Sequence, residues 1–433
     1  MSVLFGPILA QIVTLGVADR TEARYIATKD SYAEAVTAPR AAIGLDWKHS
    51  KLSNTLLNVG YGPTFLYTPL LDEQKPEMLV FHTASAGLTH IERRQRTTVT
   101  FSEQFAYTLS KLQIIARGGG LVRPPGGQFG VPIAPVAPTA PGTPTAPAGT
   151  PDTGTTGTGT PPASPTTGVP TQNGDPTVEL FTESTSIGVL QLISPVLNVG
   201  GEVAYIMAGA LHEDQRNLYP LVRGPRASIF AANRLSHTDT LTTTFTSQYA
   251  TTSTSGNTVW INVASEQWAH KFDSQTSSVL AGGLSASRNS QPDGTVFWQV
   301  FPVFNASITS MSRLGRGILA VGLNAYVAPI LDPVRISVDP RLSLGAFIGW
   351  NRDRFTTSLN VNSALALGQQ ENQAAGFNYV TGQWINSYLA GKNLSLDAGL
   401  RGVYQSFGGQ TTIPASLVAF VGVTIGAYVP LNH

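Results

Sequence analysis

Between Arg341 and Leu367 nearly every second side chain is apolar, and that period limits the fold more than any other feature of the chain. Leu342, Leu344, Ala346, Ile348 and Trp350 alternate with Ser343, Gly345, Phe347 and Gly349. A charged run, Asn351-Arg352-Asp353-Arg354, follows. Phe355, Leu359, Val361, Leu365 and Leu367 then share a period with Thr356, Ser358, Asn360 and Asn362 between them. Successive side chains of a strand point to opposite faces, whereas a helix would repeat its apolar face about every 3.6 residues. The pattern predicts a β-hairpin with one apolar face and one small, polar face. Trp350 and Phe355 bracket the turn, where an interfacial aromatic girdle would lie.

Similar segments recur along the chain at about the spacing of a spanning strand plus its connection. Arg40 to Lys48 sets Ile43, Leu45 and Trp47 against Gly44, Asp46 and Lys48. Leu319, Val321, Leu323, Ala325 and Val327 oppose Ala320, Gly322, Asn324 and Tyr326. On Thr97–Leu109, Glu103 falls in phase with Val99, Phe101, Phe105 and Tyr107, an unfavourable place for a carboxylate if that face meets lipid. Short charged connections near Lys51, Arg94, Asp239, Arg316 and Arg352 alternate with longer ones. An even strand count then requires one strand before Arg40, for which Arg24–Ala35 is the available room. The expected fold is all-β, a single transmembrane antiparallel barrel of about 18 strands, with about 16 as the alternative.

Composition agrees. Only 12% of the 433 residues are charged and the net charge is +1, against roughly 25% charged in ordinary soluble domains. Such a surface suits lipid and gives no basic patch for nucleic acid. The absence of cysteine removes thiolate metal sites, thiol nucleophiles and disulfides. Residues 1–18 are apolar and end in Gly16-Val17-Ala18, which predicts a signal peptide, with the barrel over 19–433. Within it, 118–176 is a low-complexity Pro/Gly/Thr-rich insert. Pro132, Pro135, Pro138, Pro141, Pro144 and Pro147 fall every third residue, the period of polyproline II. Strand parity puts this loop on the extracellular side.

No phosphate-binding loop, nucleophile elbow or zinc motif is present, so no catalytic residue, metal or cofactor is assigned. His82 and His90 share a strand face but lie too far apart to ligate one ion. The candidates for solute selection are charges on the polar faces: Asp46, Lys48, Glu202, Arg234, Asp397 and Arg401. Trp47, Tyr67, Trp350, Phe355 and Tyr428 are the candidate interfacial aromatics.

On these alternating strands, aromatics and strand number, the chain resembles Gram-negative outer-membrane β-barrels, porin-like or polysaccharide-export-type, over nearly all of its length outside 118–176. The chain's end, Val429-Pro430-Leu431-Asn432-His433, departs from the pattern of such barrels because it lacks a final aromatic. The resemblance implies an outer-membrane channel passing hydrophilic solutes or an exported polymer. It implies lipid as the immediate partner, with periplasmic secretion or scaffold proteins and a second copy of the chain as further candidates. The alternative is a structural or adhesion barrel, or a subunit of an envelope-spanning machine, presenting the proline-rich loop at the surface.

Overall fold

The computed structural model describes residues 10–27, 32–50, 52–68, 77–93, 95–111, 177–210, 213, 216, 221–253, 256–332, 337–367, 377–407 and 411–430. Every regular element among them is a β-strand. The chain starts with β1 (Ala10–Ala27), β2 (Tyr32–Thr37), β3 (Arg40–Ser50), β4 (Ser53–Thr68), β5 (Glu77–Glu92) and β6 (Thr97–Lys111). It continues with β7 (Thr177–Leu192), β8 (Leu197–Ala210), β9 (Val222–Arg234), β10 (Asp239–Thr252), β11 (Thr258–Lys271) and β12 (Thr276–Ser290). The last are β13 (Val296–Leu314), β14 (Gly317–Asp332), β15 (Ser337–Arg352), β16 (Phe355–Ala366), β17 (Phe377–Gly391), β18 (Leu394–Phe407) and β19 (Thr411–Pro430).

Apart from β2 and β3, each strand pairs antiparallel with its neighbour in sequence, and β1 pairs with β19 from Thr14↔Pro430 to Ala27↔Leu417, so the sheet closes. β2 and β3 occupy a single place in the wall. Both lie between β1 and β4 and are separated only by Ala38 and Pro39. Proline has no N–H to give to a ladder, so the strand breaks there; Ala38 N–H still donates to Arg20 O at 2.9 Å. Nineteen segments therefore make eighteen wall strands. Closure leaves no strand edge along the seam for another chain to pair with.

This corrects one expectation. Arg24–Ala35 is not a strand: it spans the end of β1 and most of β2, and the strand that precedes Arg40 in the wall is Ala10–Ala27. Ala10–Ala18, the latter part of the stretch read as a signal peptide, runs in β1 and pairs with β3. The proline-rich loop at 118–176 lies outside the described residues.

The registers fix which face each residue occupies. On β14, Leu323 and Val321 point outward with Ile348 and Leu344 of β15, and Leu359 and Val361 of β16 continue the same surface. Val17, Val59, Ile187, Val203, Ile229, Leu284 and Leu400 are likewise outward and exposed. An apolar exterior of this extent is not stable in water and forms the lipid-facing belt of a transmembrane barrel. Glu103 is the exception the sequence anticipated. It does face outward, between Ala86 and Thr185, and Thr185 Oγ1 donates to its Oε2 at 2.5 Å.

Short turns gather at one end. In one of them the Asp273 carboxylate accepts the N–H groups of Gln275 and Thr276 at 2.6 and 2.7 Å. These donors favour the ionised form and hold the carboxyl below its ordinary range. In another, Asp353 takes up a left-handed φ of 50°, uncommon for a side-chain-bearing residue and best tolerated by Asp and Asn.

Candidate functional site in the barrel lumen

The densest chemistry on the inner wall lies where the two ends of the sheet meet. Arg20, Glu22 and Arg24 occupy alternate positions of β1, so all three face the lumen, while Val17 and Tyr25 face out. Pairing sets Arg24 opposite Glu34 of β2 on one side and Phe420 of β19 on the other. Arg24 Nε donates to Glu22 Oε2 at 2.8 Å, and its Nη2 lies 2.6 Å from the same oxygen. Its Nη1 reaches Glu34 Oε1 at 3.3 Å, and Arg20 Nη2 closes on Glu22 Oε1 at 2.6 Å. Exposures are 4% for Glu22, 9% for Arg24 and 8% for Glu34. Charges this far from water persist only when paired and hydrogen-bonded, so the four side chains stand as one unit across β1 and β2.

The network extends over β19 and β18. The Arg401 guanidinium sits above the Phe420 ring, 5.5 Å from its centroid, a cation–π contact. Phe420 can lie flat because Gly399 is its neighbour on β18: a Cβ there would press on the Trp384 carbonyl and come 2.8 Å from Phe420 Cζ. Gly422 does the same for Glu22, whose Cγ would lie 2.9 Å from an added Cβ. The glycines thus form the floor on which an aromatic and a carboxylate are laid along the wall. Asp397, 3% exposed, accepts from Thr424 Oγ1 at 3.3 Å through Oδ2, while its Oδ1 has no partner among the described residues. Gly399→Val is expected to unseat Phe420 and cost about 1–3 kcal/mol of barrel stability. Gly382→Ala, with open space around it, should change little. Denaturant melts followed by heat-modifiable gel migration check both.

The sequence-derived candidates fall into different settings. Asp46 and Lys48 keep the inward phase on β3, Asp46 with a buried Oδ1 unpartnered among the described residues, Lys48 exposed. Glu202 on β8 is bridged by Arg226 Nη2 of β9 at 3.0 Å, part-way round the wall from the seam. Arg234 is inward in phase but ends β9, and its guanidinium is taken up by the turn: Nε donates to Ser236 O at 3.1 Å and Nη2 contacts His237 Nδ1 at 3.1 Å. It is a turn residue more than a lumen charge. Asp397 and Arg401 belong to the seam group. Arg20, Glu22, Arg24 and Glu34 are not among those candidates, although the charges at every second position of β1 are the sequence sign of an inward face.

Among the aromatics, Trp47, Tyr67, Trp350 and Phe355 are on the outward phase, and Trp350 meets Phe355 edge-on at 6.2 Å. Tyr428 pairs with Gly16 through its backbone; its side chain lies outside the described residues. His82 and His90 are outward and apart. His82 is stacked between Tyr61 and Tyr107, and His90 shares the Thr55 hydroxyl with His49. Among the described residues no three His, Cys, Asp or Glu side chains gather as a metal site.

The rest of the inner wall is of another kind. β10 lines it with Thr242, Thr244, Thr246 and Gln248, and β12 with Ser285 and Ser287, all buried. Val259, Ile261 and Val263 of β11 are also inward and join Ile206, Val222 and Val303 in one apolar cluster with Phe301 and Tyr326 packed on it. The lumen wall therefore has a charged arc at the seam and a hydroxyl-and-aliphatic arc over β8–β13.

A closed wall of eighteen strands, greasy outside and lined inside by paired charges, hydroxyls and one aliphatic patch, defines a transmembrane β-barrel of the outer-membrane type. Residues 136–293 match the model of the EpsX exopolysaccharide export family. Solved barrels similar in structure include Pseudomonas aeruginosa OccK7 (OpdD), 10% identical, covering 98% of this chain and 100% of that one with a TM-score of 0.47. Acinetobacter baumannii OccAB3 is 9% identical over 98% and 100% of the two chains, TM-score 0.46. Pseudomonas aeruginosa OpdK with vanillate is 7% identical over 96% and 99%, TM-score 0.47. No curated protein sequence matches the chain.

Proposed function

We propose that the chain is an outer-membrane channel for hydrophilic molecules, an exported polysaccharide foremost. The observation that carries this reading is the inward phase: hydroxyls, amides and a charge-balanced seam face the lumen beside one aliphatic cluster, while the exposed apolar residues face lipid. At the seam Arg20, Arg24 and Arg401 stand against Glu22, Glu34 and Asp397, three of each sign. Such a wall suits an abundance of neutral hydroxyls in transit better than one sign of ion. The match of residues 136–293 to an exopolysaccharide export family supports a polymer as the cargo. Periplasmic proteins that hand over the chain would be separate partners.

The purified full chain in planar bilayers is expected to conduct in discrete steps, and soluble polysaccharide added on one side should interrupt the current. A trace that stays closed at every voltage would remove the channel reading. One observation favours a second reading, a filled barrel serving as surface scaffold: inward Val259, Ile261, Ser285 and Ser287 have almost no exposure. That closed trace is the result it requires.

A further inference from the structure

We infer that the outer face of the seam binds one phospholipid with a net-negative headgroup, seated at the short-turn end of the barrel. A groove of about 610 Å³ runs over β16, β17, β18, β19 and β1. Its floor is Ala23 and Ala398, and its walls are Phe355, Tyr388, Leu396 and Val421. All six are on the outward phase, so the groove opens to the lipid-facing belt and is continuous with it. Ala23 of β1 and Ala398 of β18 flank Val421 of β19 at one level and remove side-chain bulk on either side of it, where the neighbouring wall carries Leu, Val and aromatics. Thr21, Asn386, Ser387 and Asp397 also border the hollow, but its lining is mostly apolar, and an acyl chain is the occupant a membrane supplies to it.

The second observation lies at the groove's lower end. Arg352 ends β15 and the turn after it carries Arg354, and the turn after β17 carries Lys392, all exposed. The two turns are neighbours: Leu389 N–H donates to Arg354 O at 2.7 Å, and Asn393 O accepts from Gly426 N–H at 2.9 Å. Among the described residues the ion pair these cations make is Arg352 with Asp353, at 3.8 Å. Phe355, Tyr388 and nearby Trp350 mark the interfacial level beside them, where a headgroup would sit. Guanidinium and ammonium groups at that depth are suited to a phosphate ester, Arg through a bidentate fork. Groove and cations together measure out a lipid: tails above, phosphate below. Short turns face the periplasm in barrels of this type, which places the site in the phospholipid leaflet.

The test uses the full chain, purified and stripped of lipid by detergent exchange, then titrated with dioleoyl phosphatidylglycerol or dioleoyl phosphatidylcholine and weighed by native mass spectrometry. One phosphatidylglycerol should remain bound at activation energies that strip phosphatidylcholine. Arg354→Ser with Lys392→Ser, confined to exposed turns, should lower that retention about tenfold. Ala398→Phe, filling the floor, should abolish retention of both lipids while heat-modifiable migration stays normal. Equal retention of the two lipids, or retention indifferent to the turn variant, overturns the assignment. So does a dimer in solution that dissociates on Ala398→Phe, since the groove would then receive a second copy.

Discussion

Arg24→Met is expected to lower the unfolding free energy of the barrel by about 3–5 kcal/mol, the usual result of stripping one partner from a buried ion group. The reason is geometric. Glu22 holds its oxygens against Arg20 and Arg24, and Glu34 has only Arg24 within reach among the described residues. Without the guanidinium, two carboxylates remain in a wall position nearly closed to water. The chain must then protonate them, admit water or part β1 from β2. The loss falls at the join between the first and last strands, so the variant should also assemble slowly. A compensated variant separates charge from shape: Arg24→Met with Glu34→Gln leaves Glu22 paired with Arg20 and no lone carboxylate at position 34, and should recover most of the deficit. Urea titrations of the reconstituted protein read both. Equal stability of Arg24→Met and the wild type would show that lumen water reaches the cluster freely.

The same residues show why the sequence disclosed the wall better than its chemistry. Alternation is local, so Leu319 to Val327 and Leu342 to Trp350 reveal their outward face without knowledge of a partner, and Asp46, Lys48, Glu202, Asp397 and Arg401 follow by phase. Even Glu103, costly on lipid, obeyed the period, because Thr185 across the strand pair supplies a hydrogen bond. What the period cannot give is register. Arg20, Glu22 and Arg24 alternate as clearly as any strand, but they follow an apolar run that also fits a leader. Their meaning depends on Glu34 lying across a strand pair and Phe420 across the closure, hundreds of residues away in the chain. Arg234 shows the reverse fault. Its phase is right, yet as the last residue of β9 it has a turn carbonyl and a histidine within reach, and it spends its donors there.

Arg401→Glu should convert a nearly unselective lumen into a cation-selective one. In the wild type the seam balances Arg20, Arg24 and Arg401 against Glu22, Glu34 and Asp397; the substitution leaves two cations against four carboxylates, a change from 0 to −2. Arg401 is the cation to change because its guanidinium packs on the Phe420 ring, whereas Arg20 and Arg24 are held in short ion pairs with Glu22. Reversal potentials across a potassium chloride gradient read the effect. It should be large near 0.1 M salt, where charges act over about 10 Å, and mostly screened at 1 M, where they act over about 3 Å. Arg401→Gln should give a shift of the same sign and roughly half the size, without placing a new carboxylate on Phe420. The pair Glu202→Gln with Arg226→Gln removes one charge of each sign and should leave selectivity near that of the wild type, which separates net charge from mere loss of ions. Unchanged reversal potentials in Arg401→Glu at low salt, with the barrel folded, would mean that permeating ions do not pass along the seam, and the charged arc would then be a closure device alone.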